Sequence, residues 1–451
     1  MNDARDEKVF SPGQDHPFQK TFIGASSALT GRFPRLGAKL LDGICYPAIG
    51  NPLLSALGHR LDRRIMGAVR SFRRFLVLPD IHIGDAVMTQ AAITALRDFF
   101  PAAEIDYVVN RTAFPLIEGN PEATRVIPLF ASRDFISEDD LLTLRDLTHR
   151  GGYDLCWNFG PFIKNRTIAS GAMKILNFTN RSPEILMNER RPDRVNHFIH
   201  HHYWFVRELL TPVVPPLRND RFDGVRLALR ASAGEAARRF VTETGLSNGR
   251  PLVLLNPDGA SPYTRVPFAT LTVLFSRLAE LDAAILLNSG HTVAGIGQRL
   301  LASLTPELRR RAKVIPAGIP LEVYAGIVDL CDVFISGDSG PLHIAAARRD
   351  SPAGGPGYRN RTAVMAFFGG TPSRMSGYDS SQPGFLPANQ DAPSWTFTAG
   401  SPCRNITCLN KMLKTCPTVR CFEDLDVSGV IERVRARLAE ARSLPPVHST
   451  P

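Results

Sequence analysis

The stretch FISGDSGPLHIAAA (residues 334–347) decides the fold class of the second half of this chain. An apolar run ends at Gly337, and Asp338, Ser339 and Gly340 follow before an apolar pattern restarts. A buried strand, a short polar turn and a helix in succession form one unit of a parallel α/β sheet. The free N–H groups and the partial positive charge at the start of a helix bind phosphate. The turn is therefore a candidate anion site, although aspartate and glycine are also ordinary capping and turn residues.

Pro341 and His343 extend this candidate site. Proline fits the first turn of a helix, because the N–H group that it lacks would have no partner inside the helix. The glycine at position 340 lets a ligand come close to the backbone. We interpret Asp338, Gly340 and His343 together as the floor of a pocket for a diphosphate group.

Strand-like apolar runs alternate with helical patterns along most of the chain. Strands are predicted at 75–79, 105–110, 125–130, 153–159, 251–256, 283–288, 312–316, 332–336 and 362–368, and helices at 196–210, 267–281 and 426–442. Continuous apolar runs are typical of strands buried on both faces, and their alternation with helices predicts parallel sheets. The proline-rich polar segment 211–224 separates two such α/β halves. Ligands of these sheets bind beyond the carboxyl ends of the strands.

A second candidate turn, HIGDAV (82–87), follows the first predicted strand. Gly84 allows a tight turn there, and a helical pattern begins directly after it. Asp85 is either a simple helix cap or a carboxylate that faces the cleft and takes a proton from an attacking hydroxyl.

Two more polar turns follow predicted strands in the second half. In NPDGASPYTRVP (256–267), Arg265 is either a phosphate ligand or an ordinary surface arginine. The turn FFGGTPSR (367–374) is rich in glycine and offers the Thr371 hydroxyl to a ligand.

The charge of the chain favours anionic partners. The 53 Lys+Arg and 43 Asp+Glu give a formal charge of +10, which suits nucleotides, phosphorylated substrates, anionic membranes or nucleic acid. The first residues, MNDARDEKVF, lack the apolar core of a signal peptide, and no run of about 18 apolar residues predicts a membrane span. We therefore expect a cytoplasmic protein whose cysteines are reduced.

The first 71 residues are predicted to be a basic extension. Apolar residues recur at helical spacing over 53–69, and arginines are dense between 60 and 74. Such a helix either lies on an anionic membrane surface or packs on the next domain with a solvated basic face.

The four turns, in their order along the chain, resemble family 9 glycosyltransferases, the heptosyltransferases of lipopolysaccharide core synthesis and their relatives. The matching motifs are GD (84–85), NPDGAS…RVP (256–267), SGDSGPLHIAAA (336–347) and FFGGTP (367–372). The helical pattern 194–210 and the cysteine-bearing segment 403–430 are also similar to the family, so the resemblance covers about residues 72–442.

The resemblance implies a GT-B fold of the α/β class, in which two Rossmann-like doubly wound domains face each other across a cleft. It divides the chain into an extension (1–71), an acceptor domain (72–215), a donor domain (225–425) and a closing helix (426–442). The implied reaction is an inverting, metal-independent transfer of a sugar, with heptose from ADP-heptose as the favoured case, to a lipopolysaccharide core or related glycan.

The resemblance also assigns roles to residues. Asp85 matches the general base of the family. The expected donor-binding positions lie in the four turns, at Gly84, Asp258, Gly259, Arg265, Asp338, Ser339, Gly340, His343, Gly369 and Thr371. A helix N-terminus and an arginine can stabilise the leaving nucleotide diphosphate, so no cofactor is expected beyond the nucleotide-sugar donor. We expect a glycan or lipid-linked glycan acceptor, a peripheral contact with the inner face of the cytoplasmic membrane, and no nucleic-acid partner.

Departures from the family pattern keep a second hypothesis open. Thr264 stands where the family has a lysine, and His291 stands where a ribose-binding glutamate is expected. Residues 348–361 form an insert beside the donor turn, and the usual FGPT is FGGT. The alternative is a non-catalytic relative of the same fold that binds a nucleotide sugar or a glycan.

Four late cysteines form the pattern C-x4-C-x7-C-x4-C, at Cys403, Cys408, Cys416 and Cys421. They are either a structural zinc site, reduced thiols or a disulfide. The consecutive histidines 200–202 fan out around a helix and cannot all face one ion. A nucleic-acid-binding function for the cysteine cluster is disfavoured, because no basic, aromatic-rich recognition element adjoins the four cysteines.

Overall fold

A computed structural model describes residues 67–78, 82–130, 138–159, 175–177, 198–217, 224–225, 227–246, 249–259, 264–291, 293–349, 362–371, 373–379, 393–399 and 421–443. The predictions for residues 1–66 of the N-terminal extension, for residues 350–361 of the insert and for three of the four clustered cysteines lie outside these residues.

The first half contains a parallel sheet. Its strands are β1 (Arg74–Leu78), β2 (Glu104–Asn110), β3 (Arg125–Phe130), β4 (Leu155–Asn158) and β5 (Ile175–Asn177). Their order is β3-β2-β1-β4-β5, and the pairings are all parallel. The strand order reverses between β1 and β4, which makes the carboxyl ends of these two strands the expected ligand position. Helix α1 (Ile83–Phe99) begins at that point.

The second half contains a larger parallel sheet. Its strands are β6 (Leu252–Asn256), β7 (Ala284–Asn288), β8 (Ala312–Ile315), β9 (Val333–Gly337), β10 (Ala363–Phe368) and β11 (Ser394–Thr398). Their order is β11-β10-β9-β6-β7-β8, again with parallel pairings. The switch in strand order lies between β6 and β9, so the two candidate turns that follow these strands are neighbours.

The remaining helices connect and cover the strands. They are α2 (Phe114–Ile117), α3 (Glu138–Arg150), α4 (Phe198–Leu210), α5 (Ala231–Glu243), α6 (Phe268–Ala279), α7 (Ile296–Ser303), α8 (Pro306–Arg309), α9 (Leu321–Asp329), α10 (Gly340–Arg349), α11 (Ser373–Ser376) and α12 (Val427–Ser443). Within the described ranges, no helix combines the length and the hydropathy that crossing a membrane requires.

Each sheet is buried on both faces, and its central strands β1, β6 and β9 are therefore mostly apolar. In the first half, α1 and α4 cover one face, and Leu144 of α3 packs with Leu76 on the other. In the second half, α5, α9 and α10 lie on the face toward the first half. Phe275 of α6 and Val430 of α12 pack on the opposite face.

The α/β class predicted from the sequence is confirmed. The predicted strands and the three delimited helices are present, with ends that differ by one or two residues. Strands β5 and β11 and the helices α2, α3, α5, α7, α8, α9 and α11 were not individually predicted. Helix α5 buries Ala233, Gly234 and Ala237, small residues that give a weak apolar signal. The domain boundaries inferred from the resemblance stay a prediction.

Candidate active site

A hydrogen-bond network around Asn256 joins the turns after β6 and β9. Its amide nitrogen lies 3.0 Å from the Asp258 carbonyl oxygen, 2.9 Å from Ser336 Oγ and 3.1 Å from Ser339 Oγ. The Asn288 amide donates to Asn256 Oδ1 at 3.0 Å. Asn256 is buried, so these bonds replace those that it would make with water. The ends of β6, β7 and β9 are thereby held in one arrangement.

The carboxylate of Asp258 organises the loop after β6. Its Oδ1 accepts the Gly259 N–H at 2.9 Å, and its Oδ2 accepts the His291 N–H at 2.7 Å. The Nε of Arg265 lies 3.5 Å from Asp258 Oδ1, and its Nη2 donates to the Gly259 carbonyl at 3.0 Å. Both oxygens of Asp258 thus bind the protein itself. The Arg265 side chain remains 24% exposed, which leaves its charge accessible from the cleft.

The turn between β9 and α10 places an acid, Asp338, directly before the N-terminus of a helix. The Asp338 side chain is only 15% exposed. Burial raises the pKa of Asp338 to about 6, and the nearby Thr371 hydroxyl opposes that shift. The Ser339 hydroxyl lies 2.8 Å from Ser336 Oγ, which in turn donates to the Gly337 carbonyl at 2.9 Å. The Ser339 side chain is thus tied to the end of β9.

His343 is buried in the first turns of α10. Its Nδ1 lies 2.9 Å from the Tyr378 hydroxyl, and its Nε2 lies 3.8 Å from Asp338 Oδ1. Burial disfavours the charged imidazolium and lowers the pKa of His343 to about 4. His343 is therefore neutral at physiological pH.

The structure corrects the predicted start of α1. The sequence predicted a loop through Asp85, with Asp85 as a possible helix cap. The helix instead begins at Ile83, its N-cap position is His82, and Asp85 is a half-buried residue of its first turn. A carboxylate in the first turn is favoured by the partial positive charge of the helix N-terminus.

The first turns of α1 and α10 touch each other. A Cβ atom on Gly84 would lie 2.5 Å from His343 Cδ2, and one on Gly340 would lie 3.3 Å from Ile83 Cβ. Gly84 therefore lies inside a helix rather than in the predicted tight turn, and its missing side chain makes room for His343. The contact brings the turn that carries Asp85 against the turn that carries the candidate anion site.

Tyr107 of β2 supports the first turn of α1 from beneath. Its hydroxyl donates to the Ala86 carbonyl at 2.6 Å. Burial raises the pKa of Tyr107 well above its ordinary value, so the phenol stays protonated and remains a donor. The backbone next to Asp85 is thereby fixed to the first sheet.

The turn after β10 contributes in two ways. A Cβ on Gly369 would lie 2.4 Å from the Cys421 carbonyl oxygen, so glycine permits close packing of these two segments. Thr371 approaches Asp338, as noted above. Among the four clustered cysteines, Cys421 is the one within the described residues, where its side chain is buried. Within those residues no group of histidines, cysteines and acids is suited to a metal ion. The zinc hypothesis stays a prediction.

Two residues of the site were missed by the sequence analysis. Asn256 ends an apolar strand, and this polar break is the signal from which it could have been predicted. Tyr378 has no comparable signal, because its contact with His343 arises only in the folded chain.

Comparison with curated proteins finds distant relatives of one type, while no family model matches the chain. Lipopolysaccharide heptosyltransferase 2 of Salmonella typhimurium (strain LT2) is 23% identical over 293 residues, which cover 61% of this chain and 80% of that protein. Its namesake from Escherichia coli (strain K12) is 25% identical with the same coverage. Lipooligosaccharide heptosyltransferase 2 of Campylobacter jejuni is 22% identical over 373 residues, or 80% of this chain and 98% of that protein.

Two solved structures share the fold. The E. coli ADP-heptose lipopolysaccharide heptosyltransferase II superimposes with a TM-score of 0.57 at 15% identity, covering 82% of this chain and 99% of that one. A family 9 glycosyltransferase from Veillonella parvula has a TM-score of 0.57 at 17% identity, covering 82% and 98%. These likenesses confirm the predicted GT-B fold. By sequence and by fold, the chain is heptosyltransferase-like and similar to the glycosyltransferases of family 9.

Proposed function

We propose that the chain is an inverting glycosyltransferase that moves a sugar from a nucleotide-diphosphate sugar to a glycan acceptor. The observation that carries the proposal is the contact between the first turns of α1 and α10. It brings a carboxylate-bearing turn, with Asp85, against the N-terminus of α10, at Gly340. The distant relatives and the fold neighbours support the same class of reaction.

In this role Asp85 accepts the proton of the acceptor hydroxyl while the hydroxyl oxygen attacks the anomeric carbon. The bond from that carbon to the diphosphate oxygen breaks on the opposite face, so the configuration inverts. The bonding electrons leave with the nucleotide diphosphate. The N–H groups at the start of α10 and the guanidinium of Arg265 stabilise its negative charge. Because these groups supply the positive charge, we propose that the transfer needs no metal ion.

The favoured donor is ADP-heptose, and the favoured acceptor is a lipopolysaccharide core or a related glycan. The curated relatives are named lipopolysaccharide or lipooligosaccharide heptosyltransferases, and one fold neighbour is named for ADP-heptose. The formal charge of +10 suits a phosphorylated, lipid-linked acceptor at the inner face of the cytoplasmic membrane.

The second candidate is a relative that binds a nucleotide sugar without turnover. Its support is the local structure at the two departures from the family pattern. Thr264 is buried, and its carbonyl oxygen would lie 2.7 Å from a Cβ on Gly337, so it packs under the donor turn. His291 has an exposed side chain, and its N–H is held by Asp258. Neither position supplies the charge found in the family.

The Asp85→Asn variant tests the proposed base. The amide keeps the size of the carboxylate but cannot accept the proton, so kcat should fall about 100- to 10,000-fold. Binding of a nucleoside diphosphate, followed by calorimetry, should persist. Transfer is measured with ADP-heptose and a heptose-deficient lipopolysaccharide core, with and without a chelator.

The matched control is Asp282→Asn, which removes an exposed acid just before β7, at the opposite end of that strand from the candidate site, and should leave kcat at the wild-type value. A wild-type protein that binds ADP or another nucleoside diphosphate but never transfers sugar would establish the non-catalytic relative. An Asp85→Asn variant as active as the wild type would remove Asp85 from the mechanism, and loss of activity with a chelator would contradict metal independence.

A further inference from the structure

The hydrogen bond between His343 and Tyr378 lies outside the machinery proposed above. The Tyr378 hydroxyl lies 2.9 Å from His343 Nδ1, and the two rings meet edge to face with centroids 5.8 Å apart. Both side chains are buried, at 1% exposure for Tyr378 and 4% for His343. Bulk water therefore does not compete for this bond.

The opposite edge of the imidazole faces the candidate anion site. Nε2 lies 3.8 Å from Asp338 Oδ1, and Cδ2 faces Gly84 at the contact of the two helices. An ionised carboxylate can only accept a hydrogen bond, so it favours the tautomer of neutral His343 that carries its proton on Nε2. In that tautomer Nδ1 has a lone pair and accepts the Tyr378 O–H.

The backbone that presents Tyr378 is tightly packed. A Cβ on Gly377 would lie 2.4 Å from the Ser373 carbonyl oxygen and 3.1 Å from Thr396 Oγ1. The Thr396 hydroxyl donates to the Tyr378 carbonyl at 3.1 Å. The short helix α11 and strand β11 thus hold the phenol at a fixed position relative to α10.

We propose that Tyr378 is a positioning residue, which fixes His343 as a neutral Nε2–H donor directed at the turn of Asp338 and Gly340. The inference rests on the proposed function in one respect, since that turn is where the diphosphate of the donor would bind. The Nε2–H group then donates a hydrogen bond to a diphosphate oxygen as negative charge develops on the leaving group. Tyr378 keeps its proton throughout and does not touch the substrate.

The first test reads the tautomer directly, without any substrate. Long-range proton–nitrogen correlation spectra of the full chain distinguish a protonated ring nitrogen from an unprotonated one. The His343→Gln variant identifies the signals of His343 among those of the other histidines. We expect a protonated Nε2 and an unprotonated Nδ1 in the wild type. A protonated Nδ1 would overturn the proposal.

The second test uses Tyr378→Phe, which removes only the hydroxyl. The His343 signals should shift toward a mixture of tautomers, and kcat/KM for the nucleotide-sugar donor should fall about 10-fold, the size of one lost hydrogen bond. Unchanged tautomer signals would overturn the proposal. Changed signals with an unchanged kcat/KM would show that the tautomer does not matter for transfer and would overturn it too.

Tyr203→Phe is the matched control. Its hydroxyl is also buried and bonds to Arg207 at 3.1 Å, but it lies in the first half, on α4. The control variant should lose stability without altering the His343 signals or kcat/KM. A wild-type protein with the expected tautomer and no transferase activity would overturn the proposed function, whereas the wrong tautomer in an active enzyme would overturn only this inference.

Discussion

Asp338 combines a position that suits function with a cost to stability. Burial raises its pKa from 3.8 to about 6, so the folded chain retains a proton at pH values where the unfolded chain has lost it. The contribution of Asp338 to the free energy of unfolding is therefore greatest below pH 4. That contribution is lost as the pH rises through 6, where the buried carboxyl must ionise. An acid kept beside a helix N-terminus at this cost is consistent with a functional role.

The Asp338→Asn variant should therefore be more stable than the wild type at pH 8, by as much as about 3 kcal/mol. The amide carries no charge, so the cost of burying an ionised group disappears. At pH 4 the two proteins should have nearly equal free energies of unfolding. Denaturant titrations at both pH values measure the difference. Glu280→Gln, an exposed change of the same chemistry, is the matched control, and a difference for Asp338→Asn that is the same at both pH values would contradict the argument.

At the residue scale, the sequence predicted the acids and the glycines of the site but not the groups that hold them. Asp338 and His343 stand in one short turn, so their proximity follows from local structure alone. Tyr378 lies 35 residues after His343, and the bond between them depends on how β10 and β11 pair. The interaction of Asn256 with Ser336 likewise requires the register of β6 beside β9. Such contacts exist only once the strands have paired in the folded sheet, so the local sequence does not predict them.

At the scale of elements, the contact between α1 and α10 depends on two glycines. The Cβ of an alanine at position 84 would lie 2.5 Å from the ring of His343, which its bond to Tyr378 keeps from moving aside. At position 340 the corresponding distance is 3.3 Å to Ile83, which a small shift relieves. An added methyl group should therefore disturb the contact between the helices more at position 84 than at position 340.

Gly84→Ala should lower kcat/KM about 10- to 100-fold, because the clash displaces the turn of Asp85 from the donor turn by a fraction of an ångström or more. Gly340→Ala should cause a smaller loss. Both changes replace glycine by a better helix former, so loss of intrinsic helix stability cannot explain a defect. Transfer assays and thermal unfolding of both variants test this. Equal activities of the wild type and Gly84→Ala would show that the contact does not shape the site.

Element types were predicted well and element starts less well. Central strands such as β6 and β9 are buried on both faces, and this produces the continuous apolar runs that reveal them. The sequence predicts that α1 starts after Asp85, because a glycine such as the one at position 84 usually marks a turn. It lies within the helix here because another helix packs against it, which is a tertiary effect.

At the scale of the whole molecule, the two halves share apolar core and ionic contacts. One cluster of buried side chains extends from Trp157 of the first sheet to Phe334 of the second. Arg230, at the start of α5, lies 2.6 Å from Glu118 of the first half and 2.5 Å from Glu322 of the second. The exposed ion pairs are screened by salt and add little, so the apolar contact dominates the coupling between the halves.

This shared core should make the two halves unfold together. Trp157 and Trp204 report on the first half, and Trp395 on β11 reports on the second. In Trp395→Phe, and separately in a Trp157→Phe/Trp204→Phe double variant, the denaturant midpoint from fluorescence should coincide with that from far-ultraviolet circular dichroism. Because the fluorescence and dichroism midpoints are compared within the same variant, any change in stability caused by the substitutions affects both midpoints equally. A fluorescence midpoint that departs from the dichroism midpoint in either variant would mean that the halves unfold independently, and that the shared apolar core does not couple them.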